Sequence, residues 1–149
     1  MSSSTSILEP HVAGLLDESL AVLQREQPAL YARLCEALAG LQIEVRVDRE
    51  RMIVGFEPGG HRIAAEIAGA EPSAAGARFR ASRGAVLDVL DGRISLAEAV
   101  LTGRLEAYAP LARLLELHDA LLLYVNGAVR CPSFPALLDR FRAGAAAAE

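Results

Sequence analysis

The stretch LQIEVRVDRERMIVGFEPGGHRIAAEI, residues 41–67, decides the fold of this chain. Residues 41–47 place an apolar side chain at every second position, and residues 52–57 and 61–67 repeat this alternation after short turns rich in charge, proline and glycine. A period of two is typical of a strand with one buried face. Three such strands joined by short turns predict an antiparallel meander with one face towards solvent.

Two further strands are predicted downstream, at residues 77–81 and 104–108. Between them, Ser82 and Ser95 each stand where the N-cap of a short helix is expected, and the predicted helices cover residues 83–90 and 96–102. Asp91-Gly92 and Gly103 supply the matching stops. Because a helical crossover ordinarily joins parallel strands, we expect the last two strands to be parallel.

Helices are predicted on both sides of this region. Before it, Val12, Leu16, Leu20 and Leu23 recur at helical spacing, and Pro28 should break or kink the chain ahead of a second helix. After it, residues 111–125 are apolar on more than one side, and a last amphipathic helix begins near Ser133. A helix that is apolar nearly all round must be buried on several sides, against ligand, the final helix or another subunit.

These elements predict an α+β fold, a five-stranded mixed sheet with helices packed on one face. Its 149 residues fit one domain. We expect an N-terminal helical segment at residues 7–40, a core at 41–109 and C-terminal helices at 110–142.

Charge and composition argue against several classes of protein. The net charge is −4, and the basic residues are arginines scattered singly, which argues against a nucleic-acid partner. Residues 1–6 lack the pattern of a signal peptide, and the most apolar run, residues 120–125, is too short to span a bilayer. We therefore expect a cytoplasmic protein.

Catalytic and metal-binding patterns are not evident in the sequence. The three histidines, His11, His61 and His118, are far apart, and Cys35 and Cys131 form neither a CxxC pair nor a ligand series. We expect no enzyme activity, no cofactor and no metal. The remaining candidates for acid–base or thiol chemistry are Tyr108, His118 and Cys131, without an identifiable partner base.

Residues 92–105, GRISLAEAVLTGRL, resemble the sterol carrier protein 2 family, in which a glycine, a basic residue, a short helix and a second glycine–basic pair precede the last strand. The resemblance extends over about residues 30–122. Ala109 departs from it, since the family commonly has a further glycine there, and so does the long apolar stretch at residues 110–141. The resemblance implies an apolar tunnel for acyl chains, sterols, acyl-CoA or isoprenoid quinones.

The leading hypothesis is therefore the non-enzymatic binding or transfer of an apolar lipid in a cavity between the sheet and the C-terminal helices. The residues expected to bind it are Val54, Phe56, Ile63, Phe79, Leu90, Leu101, Leu114, His118, Leu121 and Phe134. We expect His118 either to form a hydrogen bond with the polar head group of the ligand or to lie on a solvated stripe near Arg113 and Glu116.

The alternative is a protein–protein interaction or dimerisation module with a filled core, accessory to an enzyme of lipid biosynthesis or degradation. A transient contact with membranes and a homodimer through the C-terminal helices are left open as further partners.

Overall fold

The computed structural model describes residues 12–65 and 76–148. The chain begins with helices α1 (Val12–Glu26) and α2 (Pro28–Ala37) and strands β1 (Gln42–Val47), β2 (Glu50–Glu57) and β3 (Gly60–Ala65). It continues through β4 (Ala77–Ala81), α3 (Arg83–Leu90), α4 (Leu96–Leu101), β5 (Leu105–Tyr108), α5 (Leu111–Ala128) and α6 (Phe134–Ala148). The predictions for residues 1–11 and for the end of the third strand at 66–67 lie outside the described residues.

The five strands form one mixed sheet in the order β3-β2-β1-β4-β5. β1 pairs antiparallel with β2 and parallel with β4. Ile43 of β1 lies opposite Val54 of β2 and Ala77 of β4, so the inward-facing apolar residues of neighbouring strands share one face. The predicted α+β class and five-stranded mixed sheet are confirmed.

The predicted parallel pairing of the last two strands is wrong, because β4 and β5 are antiparallel. A single crossover helix returns the chain to the end of the sheet where the first strand began, which makes the next strand parallel. Here the connection contains two helices, α3 and α4. The first returns the chain along the sheet, and the second brings it back to the end where β4 finished. Leu105 consequently starts β5 opposite Ala81, at the end where β4 finished.

The caps of the two connecting helices agree with the sequence. The Ser82 hydroxyl accepts a hydrogen bond from the Ala85 amide at 3.0 Å, and the Ser95 hydroxyl accepts one from the Glu98 amide at 2.9 Å. Gly92 and Gly103 both adopt φ of +78°, a left-handed conformation that favours glycine after a helix. The GRISLAEAVLTGRL stretch is thus a capped helix between two glycine stops.

In the single chain, helix α5 leaves part of its apolar surface exposed. It buries Leu117, Ala120 and Ala128, whereas Leu111 and Leu115 remain 76% and 65% exposed. Leu122 and Val129 share the exposed side, since their separations from Leu115 are whole heptads. These four exposed residues form an apolar stripe along α5 and its C-cap.

Candidate functional site: an apolar cavity

A cavity of about 210 Å³ lies between the inner face of the sheet and the helices. Alternation along the strands points their apolar side chains into it, and the amphipathic helices supply the opposite wall. The sheet contributes Ile43, Val45, Val47, Val54, Phe56, Phe79 and Leu105, and the helices and their ends contribute Val12, Leu15, Leu16, Ser19, Leu20, Leu34, Leu38, Val86, Val89, Leu90, Leu96, Leu117, Ala120, Leu121, Tyr124, Val125, Phe134, Leu137, Leu138 and Phe141.

Six of the ten residues expected at the site lie in the cavity wall: Val54, Phe56, Phe79, Leu90, Leu121 and Phe134. They come from β2, β4, α3, α5 and α6, so the fold brings together residues up to 80 positions apart. Whether they contact a ligand stays a prediction.

The other four expected residues lie outside the wall. Leu101 is 86% exposed, because the short helix α4 buries Leu96 and Ala99 instead. Ile63 is half-buried and packs against the core from β3. Leu114 and His118 are half-buried on α5, beside the side of the helix that faces the cavity. Arg113 and Glu116 form an ion pair of 2.8 Å on the solvated side of this helix.

The sequence analysis did not predict that residues of the N-terminal helices line the cavity. Five residues of α1 line the cavity, together with Leu34 of α2 and Leu38 at its C-terminal end, whereas a pocket between the sheet and the C-terminal helices was expected. The helical spacing of residues 12–23 indicated only that α1 has a buried side. It did not show which element that side covers.

Two residues of the wall carry a polar side-chain group, Ser19 of α1 and Tyr124 of α5. Their hydroxyl oxygens are 2.7 Å apart, and the Ser19 oxygen also lies 2.7 Å from the Leu16 carbonyl oxygen. Burial raises the pKa of Tyr124, so its hydroxyl stays neutral at physiological pH. Among the described wall residues no side chain carries a formal charge.

A buried arginine near the cavity has its charge compensated by its own neighbours. Arg83 donates to a carboxylate oxygen of Glu50 at 3.1 Å and lies 3.8 Å from that of Asp48. Its guanidinium carbon lies 5.1 Å from the ring centroid of Phe141, a wall residue. Because a buried cation needs such partners, Arg83 holds α6 to the sheet side of the molecule.

A second polar cluster joins α1, α2 and β3. The Asp17 carboxylate accepts from His61 Nε2 at 2.9 Å, and the Tyr31 hydroxyl oxygen lies 2.6 Å from His61 Nδ1. Burial is the main cause that raises the pKa of Tyr31. The three residues lie outside the cavity lining.

The candidates for thiol and acid–base chemistry, Tyr108, His118 and Cys131, lie outside the cavity lining. Cys131 is buried, and burial raises the pKa of its thiol, which is the opposite of an activated nucleophile. Burial likewise raises the pKa of the Cys35 thiol. Tyr108 is exposed and donates to Glu106 at 3.1 Å. Within residues 12–65 and 76–148, no group of three His, Cys, Asp or Glu side chains is arranged to hold a metal ion.

None of the helices described here combines the length and apolarity that crossing a membrane requires. No protein-family model matches the chain. No curated protein matches it either.

Solved structures do match it. An ubiquinone synthesis protein named UbiJ-SCP2 superimposes with a TM-score of 0.58 and 20% identity, over 85% of this chain and 98% of its own. A crystal structure of sterol carrier protein 2 gives a TM-score of 0.56 and 19% identity, over 83% and 98%. The sterol carrier protein domain 2 of Helicoverpa armigera gives a TM-score of 0.50 and 18% identity, over 82% and 89%.

These matches span nearly the whole of each solved chain, so they concern the complete architecture rather than a shared fragment. They agree with the resemblance of residues 92–105. The protein has the fold of sterol carrier protein 2.

Proposed function

We propose that this protein binds an apolar lipid in the cavity and carries or presents it without chemical change. The observation that carries the proposal is the composition of the described part of the wall, in which every side chain is apolar except those of Ser19 and Tyr124. Burying apolar surface contributes roughly 25 cal/mol per Å², so hydrocarbon moved from water into such a wall binds without any charged contact. A few polar groups in an otherwise apolar concavity are typical of small-molecule sites.

The volume supports a ligand of limited size. An engineered apolar cavity of about 150 Å³ in another protein stays dry and binds benzene. A cavity of about 210 Å³ therefore accommodates a small hydrophobic molecule or the end segment of a longer chain.

The similar structures support the same class of ligand. Two of them are named as sterol carrier proteins and one as an ubiquinone synthesis protein. Sterols and isoprenoid quinone precursors are therefore the first lipids to test for binding. We place this activity in the cytoplasm, where a carrier would exchange its ligand with membranes during transient contacts.

Leu121 provides the test, because it is half-buried and lies in the cavity wall on α5. Leu121→Arg should abolish binding of a fluorescent acyl probe, since an unpaired charge in an apolar cavity is costly. Leu115→Arg is the matched control, because Leu115 lies on the same helix and is 65% exposed. Circular dichroism would establish that both variants fold, and native mass spectrometry of the wild type should find co-purified lipid.

A folded Leu121→Arg protein that binds the probe as the wild type does would contradict the cavity as the binding site. So would a wild type that retains no lipid and ignores acyl, sterol and quinone probes.

A second function is favoured by the apolar stripe of Leu111, Leu115, Leu122 and Val129 on α5. Exposed apolar patches often mark partner surfaces, and the heptad separations within this stripe suit a second helix. The same two variants separate the functions. If the stripe forms a homodimer, Leu115→Arg should produce monomers in analytical ultracentrifugation while leaving probe binding intact.

A further inference from the structure

The pair Ser19 and Tyr124 places one hydrogen-bonding group with a defined direction in the cavity wall. The Ser19 hydroxyl has a single proton, and its oxygen lies 2.7 Å from both the Leu16 carbonyl and the Tyr124 hydroxyl. A carbonyl can only accept, so the Ser19 proton goes to Leu16 when both hydrogen bonds form. The Tyr124 proton then goes to Ser19.

This arrangement leaves the Tyr124 oxygen as an acceptor whose proton is already used. Both residues lie in the cavity wall, where Ser19 is 4% exposed and Tyr124 is half-buried. A phenol oxygen accepts hydrogen bonds through its lone pairs. Among the described wall residues, this oxygen is therefore a side-chain acceptor, and neither hydroxyl proton is free to be donated to a ligand.

We propose that the polar group of the ligand is a neutral hydroxyl, which donates its proton to the Tyr124 oxygen while the hydrocarbon part occupies the rest of the cavity. This inference rests on the proposed function and specifies the ligand class. A hydroxyl adds a third hydrogen bond to the existing two.

A carbonyl ligand gains less from the same site. To donate to it, Tyr124 must turn its proton away from Ser19. The hydrogen bond between the two hydroxyls is then lost, or Ser19 restores it by turning its own proton away from Leu16. One hydrogen bond forms and one is lost, so the number does not rise.

An ionised carboxylate is disfavoured more strongly. The described wall residues carry no cationic side chain, and Arg83 is already paired with Glu50 and Asp48. An anion transferred to an apolar wall without a partner loses its hydration at a large cost. The raised pKa of Tyr124 keeps its hydroxyl neutral, so this group does not compensate the charge of a bound carboxylate.

Two isomeric probes test the direction of the hydrogen bond. Decan-1-ol and 1-methoxynonane have the same atoms and nearly the same shape, but only the alcohol donates. Both would compete with a neutral fluorescent probe, N-phenyl-1-naphthylamine, in the wild type and in Tyr124→Phe. The ratio of the alcohol to the ether binding constant should fall by about tenfold in Tyr124→Phe, as expected for the loss of one hydrogen bond.

Ser19→Ala tests whether the ligand preference depends on the direction of the Tyr124 hydrogen bond or only on the presence of a polar group. Without Ser19 the Tyr124 proton becomes available to the ligand, so the ether should gain affinity and the alcohol-to-ether ratio should also fall. Tyr108→Phe is the matched control, because Tyr108 is 54% exposed and outside the wall, and its ratio should equal that of the wild type.

The outcomes distinguish the two proposals. An unchanged ratio in Tyr124→Phe, or tighter binding of decanoate than of decan-1-ol at neutral pH, would overturn the hydroxyl ligand while leaving an apolar binding site. A folded wild type that binds none of these probes would overturn the proposed function itself.

Discussion

Gly127 shows how a single residue sets the distance between helices. A Cβ atom at this position would lie 2.7 Å from a methyl carbon of Leu30 and 2.9 Å from one of Leu23. Such distances are shorter than van der Waals contact, so α5 approaches α1 and α2 this closely only because position 127 carries no side chain. The glycine lowers helix propensity but permits the packing.

We expect Gly127→Ala to lower the free energy of unfolding by about 1 kcal/mol, because overpacking a core costs more than the improved helix propensity returns. Gly14→Ala is the control. A Cβ atom added at Gly14, in α1, would meet no other atom within 4 Å, so the same substitution should stabilise the protein by about 0.5 kcal/mol. Urea unfolding measures both values, and a stabilised Gly127→Ala protein would contradict the close helix approach.

The sequence predicted the wall residues best where alternation or helical spacing fixed a side chain's direction. Val54, Phe56 and Phe79 follow the period of two and lie in the wall. Leu101 lies outside the wall, and a six-residue helix of fewer than two turns is too short for its period to show which side is buried. The Ser19–Tyr124 contact could not be predicted, since 105 positions separate the two residues and neither belongs to a motif.

At the scale of elements, α6 is held to the rest of the molecule by two paired arginines. Arg140 donates through both terminal nitrogens to the Glu18 carboxylate of α1, at 2.7 and 3.0 Å. Arg142 does the same with Asp91, at the end of α3, at 3.0 and 3.1 Å. Hydrogen bonds from these arginines are the main cause that lowers the pKa of Glu18 and of Asp91.

We expect the Glu18–Arg140 pair to make stability depend on acid pH. A carboxyl whose pKa is lowered on folding contributes stability above its ordinary value, which is 4.5 for Glu, and loses the contribution as pH falls through the lowered value. Arg140→Ala should therefore destabilise the protein at pH 7 by about 0.5 kcal/mol, a magnitude typical of exposed pairs. The difference from the wild type should shrink as the pH falls from 4.5 through the lowered pKa of Glu18.

A double-mutant cycle with Glu18→Gln isolates the pair from other effects of either substitution. Thermal unfolding of the four proteins at pH 7 and at pH 3 gives the coupling energy at each pH. A coupling that is absent at pH 7, or equal at both values, would show that the pair does not hold α6.

The order of the elements and their type were predictable, but their relative directions were not. Alternation identified β4 and β5 and the capping residues identified α3 and α4, all from local pattern. Strand direction depends instead on how often the chain crosses the sheet, and a short second helix reverses it without changing the local pattern of either strand.

At the scale of the whole molecule, a stable core and the proposed binding cavity make opposing demands on the apolar residues. A filled core stabilises a fold, whereas the cavity of about 210 Å³ leaves wall residues without contact partners on one side. A ligand that binds only the folded protein restores part of those contacts and raises the free energy of unfolding by mass action. The lipid, on this view, completes the core.

Valine-to-isoleucine substitutions distinguish an open cavity from a filled core by the sign of their effect. Val45 lies in the wall on β1 and is half-buried, so an added methylene enters open volume and should stabilise the ligand-free protein by about 0.8 kcal/mol. Val22 of α1 is 3% exposed and lies outside the wall, so Val22→Ile should cost about 1 kcal/mol through overpacking. Urea unfolding after delipidation measures both changes.

Val45→Ile and Val22→Ile also test whether a ligand and an added core methylene compete for the same volume. Saturating decan-1-ol should raise the midpoint of thermal unfolding less in Val45→Ile than in the wild type, because the methylene occupies space that the ligand would fill. In Val22→Ile the increase should match that of the wild type, since the substitution leaves the wall unchanged. Destabilisation by Val45→Ile equal to that by Val22→Ile would mean that the region between sheet and helices is already filled, and the interaction function of the α5 stripe would then be the one to pursue.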